Sequence, residues 1–366
     1  MRSIAIIAFL MTQSFLQAQT GRAQWEKVCD LPAVISESSG LVRTDKGTFW
    51  SHGDGGNAAE LYEFDSTGNL LRTLKFSNAT NIDWEDITRD DRGNLWLGDV
   101  GNNDSDRDNL VLYRVGNPDL HDSTRVHAGI LKLTLEDQTV IPSPIGNRNF
   151  DIEGIASYKD SIVLVTKNRA SPSSGYAKIY WLPAITGKVV ARLIDSIYTE
   201  THIQLGRITG ADYYAAGKLL VLNSLHQVFV MPFKGSKIDP KTIKRYRFPF
   251  HNNQFESIVM RSPKEVYLTA EKPSILCRAV LSDSSFLYPL AAKDVCQLNF
   301  YVYQNTVYFT DASFSGEIHL YDAAGRCVFR YFATEVQTVE LPLLAHAVYL
   351  LRVQNAIGIT VRSIKN

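Results

Sequence analysis

The sequence predicts an all-β protein: a β-propeller with five visible four-stranded blades, followed by a small C-terminal β-sandwich. Three observations carry this expectation. From Val28 onward, short apolar runs alternate with Gly, Asn, Asp and Ser turns, and no long amphipathic helix interrupts them. One strand-start phrase recurs as E-S-S-G-L-V (37–42), W-E-D-I-T (84–88), I-E-G-I-A (152–156), I-T-G-A-D (208–212) and F-E-S-I-V (255–259). Aligned on Gly40, Asp86, Gly154, Gly210 and Ser257, successive copies lie 46, 68, 56 and 47 residues apart, which are blade-sized intervals. Each start is followed by a second, more hydrophobic strand, such as T-F-W-S-H, N-L-W-L-G or S-I-V-L-V-T, and then by third and fourth strands. Four antiparallel strands per repeat, set radially, make a propeller.

The N-terminus reads as a secretory signal peptide over residues 1–19, with one arginine, an apolar run from Ile4 to Leu10, and small and polar residues near Ala18. The propeller is expected over 24–292. Within it, residues 25–31 are expected to supply the outer strand of the last blade, closing the ring so that no long edge is exposed. A sixth, degenerate blade around Phe286 to Val302 stays open as an alternative. The sandwich is expected over 298–366, where V-Y-F-T-D, G-E-I-H-L-Y-D-A-A-G-R and later strands read as hairpins.

The chain has 366 residues and is 45% hydrophobic, enough for one large core and a small second domain. Thirty-eight basic residues balance thirty-eight acidic ones, so no overall charge draws it to nucleic acid or an anionic membrane. No run after the leader is long and apolar enough to span a bilayer. Cys29, Cys277, Cys296 and Cys327 lack Cys-x-x-Cys spacing, which argues against zinc and thioredoxin-type sites and leaves pairing or simple burial open. Gly-x-Ser-x-Gly, His-Glu-x-x-His and phosphate-cradling glycine motifs are absent from the sequence.

Candidate chemistry follows from the repeat. In a propeller, the start of each first strand and the end of each second strand share one face. The position before each anchor is Ser39, Glu85, Glu153, Thr209 and Glu256, and the second strands end at Asp54, Asp99, Lys167 with Asn168, Asn223 and Glu271. These residues are expected to ring one mouth of the axial channel. Two carboxylates about 5 Å apart repel by roughly 3 kcal/mol at an effective dielectric near 20, so a bound cation, shared protons, or Lys167 and Arg207 must offset the cluster. Oxygen donors with Asn168 and Asn223 as neutral partners suit calcium. If a cation is what offsets the charge, it sits against the axial glutamates Glu85, Glu153 and Glu256, while Asp54, Asn168, Asn223, Glu271 and Trp84 are expected to face a small polar ligand or surface partner. Asp99 or Asp86 would be the general base of any catalysis. Asp83 reads as a turn cap, His52 as a packed residue, the repeated Asp-x-Gly-Asn as turn chemistry, and D-S-D-R-D-N (104–109) as a solvated loop.

Two resemblances add to this. I-H-L-Y-D-A-A-G-R (318–326), L-P-L-L (341–344), Y-L-L-R-V (349–353) and Lys365 resemble the C-terminal type A sorting domain of type IX secretion substrates, with Ala347 where that family usually has glycine. This implies the type IX machinery as a partner and delivery through the periplasm to the medium or the outer-membrane surface. D-I-E-G-I-A (151–156), D-W-E-D-I-T (83–88) and S-E-S-S-G-L (36–41) resemble calcium-dependent propellers, among them SdiA-regulated proteins, phytase-like esterases and senescence-marker-protein or gluconolactonase-like enzymes. In such families, commonly six-bladed, glutamates at innermost strand starts bind the metal, which again implies Glu85, Glu153 and Glu256. The expected function is an exported propeller whose acidic mouth binds calcium and a polar ligand. The alternatives are a calcium-dependent phosphoester or lactone hydrolase and a two-carboxylate glycosidase with Trp50, Trp84 and Trp96 as stacking platforms.

Overall fold

A computed structural model describes residues 20–35, 37–249, 253–283, 300–303, 306–309, 314–322, 326–342, 348–354 and 359–365. The leader, Cys296 and most of the segment considered for a sixth blade lie outside them. Strand β1 (Thr20–Asp30) opens the fold. Blade I takes β2 (Ser38–Arg43), β3 (Phe49–Gly53), β4 (Glu60–Phe64) and β5 (Leu70–Phe76). Blade II takes β6 (Trp84–Arg89), β7 (Leu95–Asp99) and β8 (Val111–Val115); after the short β9 (Arg125–Val126), which pairs with β5, β10 (Gly129–Leu135) completes it. Blade III is β11 (Asp151–Tyr158), β12 (Ser161–Lys167), β13 (Tyr176–Pro183) and β14 (Gly187–Tyr198). A short helix, α1 (Ile203–Gly206), leads into blade IV: β15 (Ile208–Tyr214), β16 (Leu219–Ser224), β17 (Gln227–Pro232) and β18 (Lys244–Arg247). Blade V is β19 (Phe255–Ser262), β20 (Glu265–Ala270) and β21 (Ile275–Ser282), with β1 as its outer strand, antiparallel to β21.

The ring is closed by packing as well as by pairing. Inner strands β2, β6, β11, β15 and β19 each touch the next, and β19 returns to β2. Apolar cores fill every gap between neighbours: Trp50 and Val42 meet Trp84 and Ile87, Trp96 and Leu112 meet Ile152 and Ile155, and Leu276 meets Leu41 and Phe49. Blades III and IV join through Val163 and Leu220, and blades IV and V through Val221 and Phe255. Between blades II and III and between blades IV and V, the outer strands also pair in parallel, β10 with β14 and β18 with β1.

Polar clamps tie the inner strands across blade boundaries. Asp86 is fully buried on the axis and accepts the amides of Ile87 at 2.8 Å, Ile155 at 2.8 Å and Ala211 at 3.1 Å, joining blades II, III and IV. Ser38 Oγ donates to Thr269 Oγ1 at 2.8 Å, joining blades I and V. A buried amide without a partner is costly, so these contacts specify how the blades meet.

The C-terminal strands form two sheets: β22 (Phe300–Tyr303), β23 (Thr306–Phe309) and β26 (Thr338–Glu340); and β24 (Phe314–Tyr321), β25 (Cys327–Val336), β27 (Val348–Gln354) and β28 (Ile359–Lys365). Val307, Ile318, Leu320, Leu351 and Val353 lie in one core between them. Cys29, Cys277 and Cys327 are free thiols. Among the described residues no helix is long and apolar enough to cross a membrane.

Candidate functional site

The site is built from a device repeated around the ring. Every inner strand breaks register with its second strand at the same place: between Ser38 and Gly40, Trp84 and Ile87, Ile152 and Gly154, Ile208 and Gly210, and Phe255 and Ser257. The residues left unpaired are Ser39, Glu85 with Asp86, Glu153, Thr209 and Glu256. A β-bulge re-aims its extra side chain, so the acidic register is carried by bulges at one mouth.

At that mouth two groups of carboxylates each bring one oxygen per residue within 4.8 Å of the others: Asp54, Asp83 and Glu85, and Glu85, Asp151 and Glu153. The second group is internally compensated. Lys167 Nζ lies 2.9 Å from Glu153 Oε1; Arg169 donates Nε to Asp151 at 2.6 Å and a terminal N–H to Glu153 at 2.9 Å. The Asn102 amide fills the other Asp151 oxygen at 2.7 Å. The first group has no such ion pair among the described residues: Asp54 takes only the Gly55 amide, at 2.7 Å. A Cβ on Gly101 would collide with Asp83 Oδ2 and Glu85 Oε1, and one on Gly55 with Asp83 Oδ1. Glycine at both positions thus lets the Asp83 and Glu85 carboxylates pack directly against the backbone. Three hard oxygen donors this close together fit a divalent cation such as calcium.

The electrostatics agree. Burial, with Asp151 and Asp54 nearby, pushes Asp83 up to about 6. Burial, then Glu153, Asp151 and Asp54, raises Glu85 well above the usual carboxylate range. Glu153 rises through burial, opposed by Lys167 and Arg169, and Glu256 rises through burial to about 7. Burial alone would lower Lys167, but Glu153, Glu256 and Glu85 outweigh it and hold the ammonium charged.

Several expectations change here. Asp83 is a member of the uncompensated cluster, not merely a turn cap. Glu256 joins neither carboxylate group; it lies within the field of Lys167 and Glu271, with Asp54 beyond. Asp86 points away from any ligand role because its oxygens are taken by three backbone amides. Trp84, Trp50 and Trp96 are at most 1% exposed, so none can stack on a sugar or face a ligand. Asn168 is a loop organiser, its amide donating to Ser174 Oγ and Tyr176 O and its oxygen accepting the Ala170 amide. Asn223 is fully buried and donates to Thr209 Oγ1 and Phe255 O. Glu271 stands at the mouth beyond Asp54, raised by burial. Arg207 donates Nε to Asn168 O, leaving Arg169 in the counter-charge role foreseen for it. Asp99 accepts from Arg107 at 2.8 Å and from the Asp83 amide at 3.1 Å, while its Oδ2 is buried without a partner among the described residues. Arg107 comes from the acidic loop 104–109, which is therefore tied to the site.

Arg169, Arg107, Asp151 and Gly101 lay outside the expected ring. A usable signal existed for Asp151 alone, which repeats Asp83 two residues before a glutamate; the others sit on loops whose path no periodicity records.

No protein-family model matches the chain, and no curated protein does. Among solved structures, similar chains include a luciferin-regenerating enzyme (12% identity, 70% of this chain and 94% of that one, TM-score 0.41). Another was assigned as a gluconolactonase in structural-genomics work (13%, 67% and 74%, 0.38). PorZ, a surface component of the type IX secretion system of Porphyromonas gingivalis, is a third (13%, 91% and 46%, 0.33). The blade assignment rests on the strand pairing above.

Proposed function

We propose that the chain is an exported propeller whose acidic mouth binds calcium at Asp54, Asp83 and Glu85 and uses it to hold a polar, oxygen-rich ligand. The observation that supports this reading most is the contrast between the two carboxylate groups. One is balanced by Lys167 and Arg169; the Asp54 and Asp83 carboxylates of the other make no ion pair among the described residues. When bound, a divalent cation polarises a ligand oxygen. Lys167 and Arg169 fix Glu153 and Asp151 and keep N–H donors beside the triad, which suits a ligand carrying electron-rich oxygens. Thermal unfolding of the purified chain titrated with calcium tests this. A rising midpoint in the wild type that Asp83→Asn abolishes supports the site, and an unmoved wild-type midpoint removes it.

A calcium-dependent hydrolase of phosphoesters or lactones is the second reading, favoured by the cationic pair beside the triad and by the unpartnered Asp99 oxygen. A screen of generic esters of both kinds, wild type against Asp99→Asn, decides it; no turnover by the wild type leaves binding alone. Export by the type IX machinery is proposed from the tail resemblance. Removing residues 316–366 should then trap the protein in the periplasm, and normal delivery would refute it.

A further inference from the structure

The axis has a second end, on the other side of the Asp86 clamp from the acidic mouth. There the ends of β2, β6 and β15 and the middle of β19 surround a cavity of about 510 Å³, in the size range of small-molecule sites. Its charged lining is mostly spent. Arg89 is held by Asp45 at 2.9 Å and Asp119 at 3.4 Å, and Arg92 by Asp160 at 3.2 Å. Asp90 caps its own turn, accepting the amides of Arg92 and Asn94. Arg43 differs: it lines the cavity half-buried, with no hydrogen bond or ion pair among the described residues. Asp212 accepts the backbone amides of Met260, at 2.8 Å, and Tyr213, and as a half-buried residue it lines the same space. Tyr213, Tyr214, Val259 and Met260 supply aromatic and apolar wall.

A free guanidinium, two carboxylates (Asp212 and the exposed Asp91) and an apolar wall are complementary to a ligand that carries both polarities. The guanidinium fork matches a carboxylate in two parallel hydrogen bonds, and a carboxylate matches an ammonium. We infer that this second mouth is a binding site for a zwitterionic, amino-acid-like ligand, with Arg43 taking its carboxylate, Asp212 its ammonium, and Tyr213 and Met260 its apolar side chain. A purely anionic ligand would leave Asp212 facing it; a purely cationic one would leave Arg43 unmatched.

Calorimetric titration of the full chain with L-phenylalanine, 3-phenylpropionate and 2-phenylethylamine tests this. The amino acid should bind, and each one-charge analogue should bind about tenfold more weakly. Arg43→Gln should cut L-phenylalanine to the level of the amine while sparing the amine, and Asp212→Asn should do the converse. Both variants should keep the wild-type response to calcium, which separates this cavity from the acidic mouth. Should Arg43→Gln fail to fold, Arg43→Lys, which keeps the charge without the fork, carries the same comparison. No binding of L-phenylalanine at about 10 mM, far above the ~1 mM of a weak site, would overturn the inference. So would analogues that match the amino acid, or variants that titrate like the wild type.

Discussion

Glu85 and Asp86 are chain neighbours with opposite tasks. Glu85 is shared by both carboxylate groups at the mouth, whereas Asp86 is consumed by three amides from three blades. Asp86→Ala should therefore cost about 3–5 kcal/mol, read as a fall in the urea midpoint, because it strands buried donors rather than removing one contact. Gly101→Ala should weaken the calcium response, since its Cβ would collide with the Asp83 and Glu85 carboxylates and push them from their present positions. An undiminished calcium shift in that variant would show that the ion does not depend on how these two carboxylates are held. The glutamates were legible because they repeat with the blade; the division of labour between Glu85 and Asp86 was not, since adjacent residues at a bulge leave in directions that alternation does not specify.

At the scale of elements, the fold depends on β1, which is distant in sequence from the blade it completes. It pairs with β21 from Arg22 to Asp30 and with β18 at Thr20 to Arg22. A Cβ on Gly21 would strike Ser282 O and the Tyr246 ring, so Gly21→Val should pry the start of β1 from both neighbours. The expected result is faster hydrogen exchange in β1 and β21 with blades II and III unchanged; uniform exchange across the ring would show that closure is not the weak point. The sequence offered residues 25–31, ahead of the first repeat, as a candidate outer strand for the last blade. Its partner was inferred from the need to cover an edge, which is a general constraint on sheets.

For the whole molecule, two features concern how units meet. The tail docks on the face that carries the acidic mouth, at blade IV: Phe332 packs on His226 at 4.9 Å and His202 at 5.3 Å, and Gln204 donates to Thr334 at 2.7 Å. Phe332→Ala should separate the tail's unfolding from that of the blades in calorimetry, with a loss of about 3 kcal/mol. At the far end of the axis, burial pushes Asp212 up to about 6 from 3.8. A raised carboxyl contributes stability in full below pH 3.8 and loses it as pH climbs through 6, at most about 3 kcal/mol. Asp212→Asn keeps the acceptor for Met260 but cannot ionise. It should gain on the wild type between about pH 4 and pH 6 in paired urea titrations, and equal pH slopes over that range would exclude Asp212 as the cause.

By itself the sequence determined the all-β class, the repeated strand start and the face on which acids gather, because periodicity and turn chemistry are local properties of the chain. Only the tertiary structure decided which acids are compensated. Arg169 reaches Asp151 and Glu153 from the loop after β12, and Arg107 reaches Asp99 from an acidic loop. Burial of Trp84 and exclusion of Glu256 from the triad were likewise settled in three dimensions. Charge balance at a propeller mouth depends on distances between side chains from different blades, and spacing along the chain does not encode those distances.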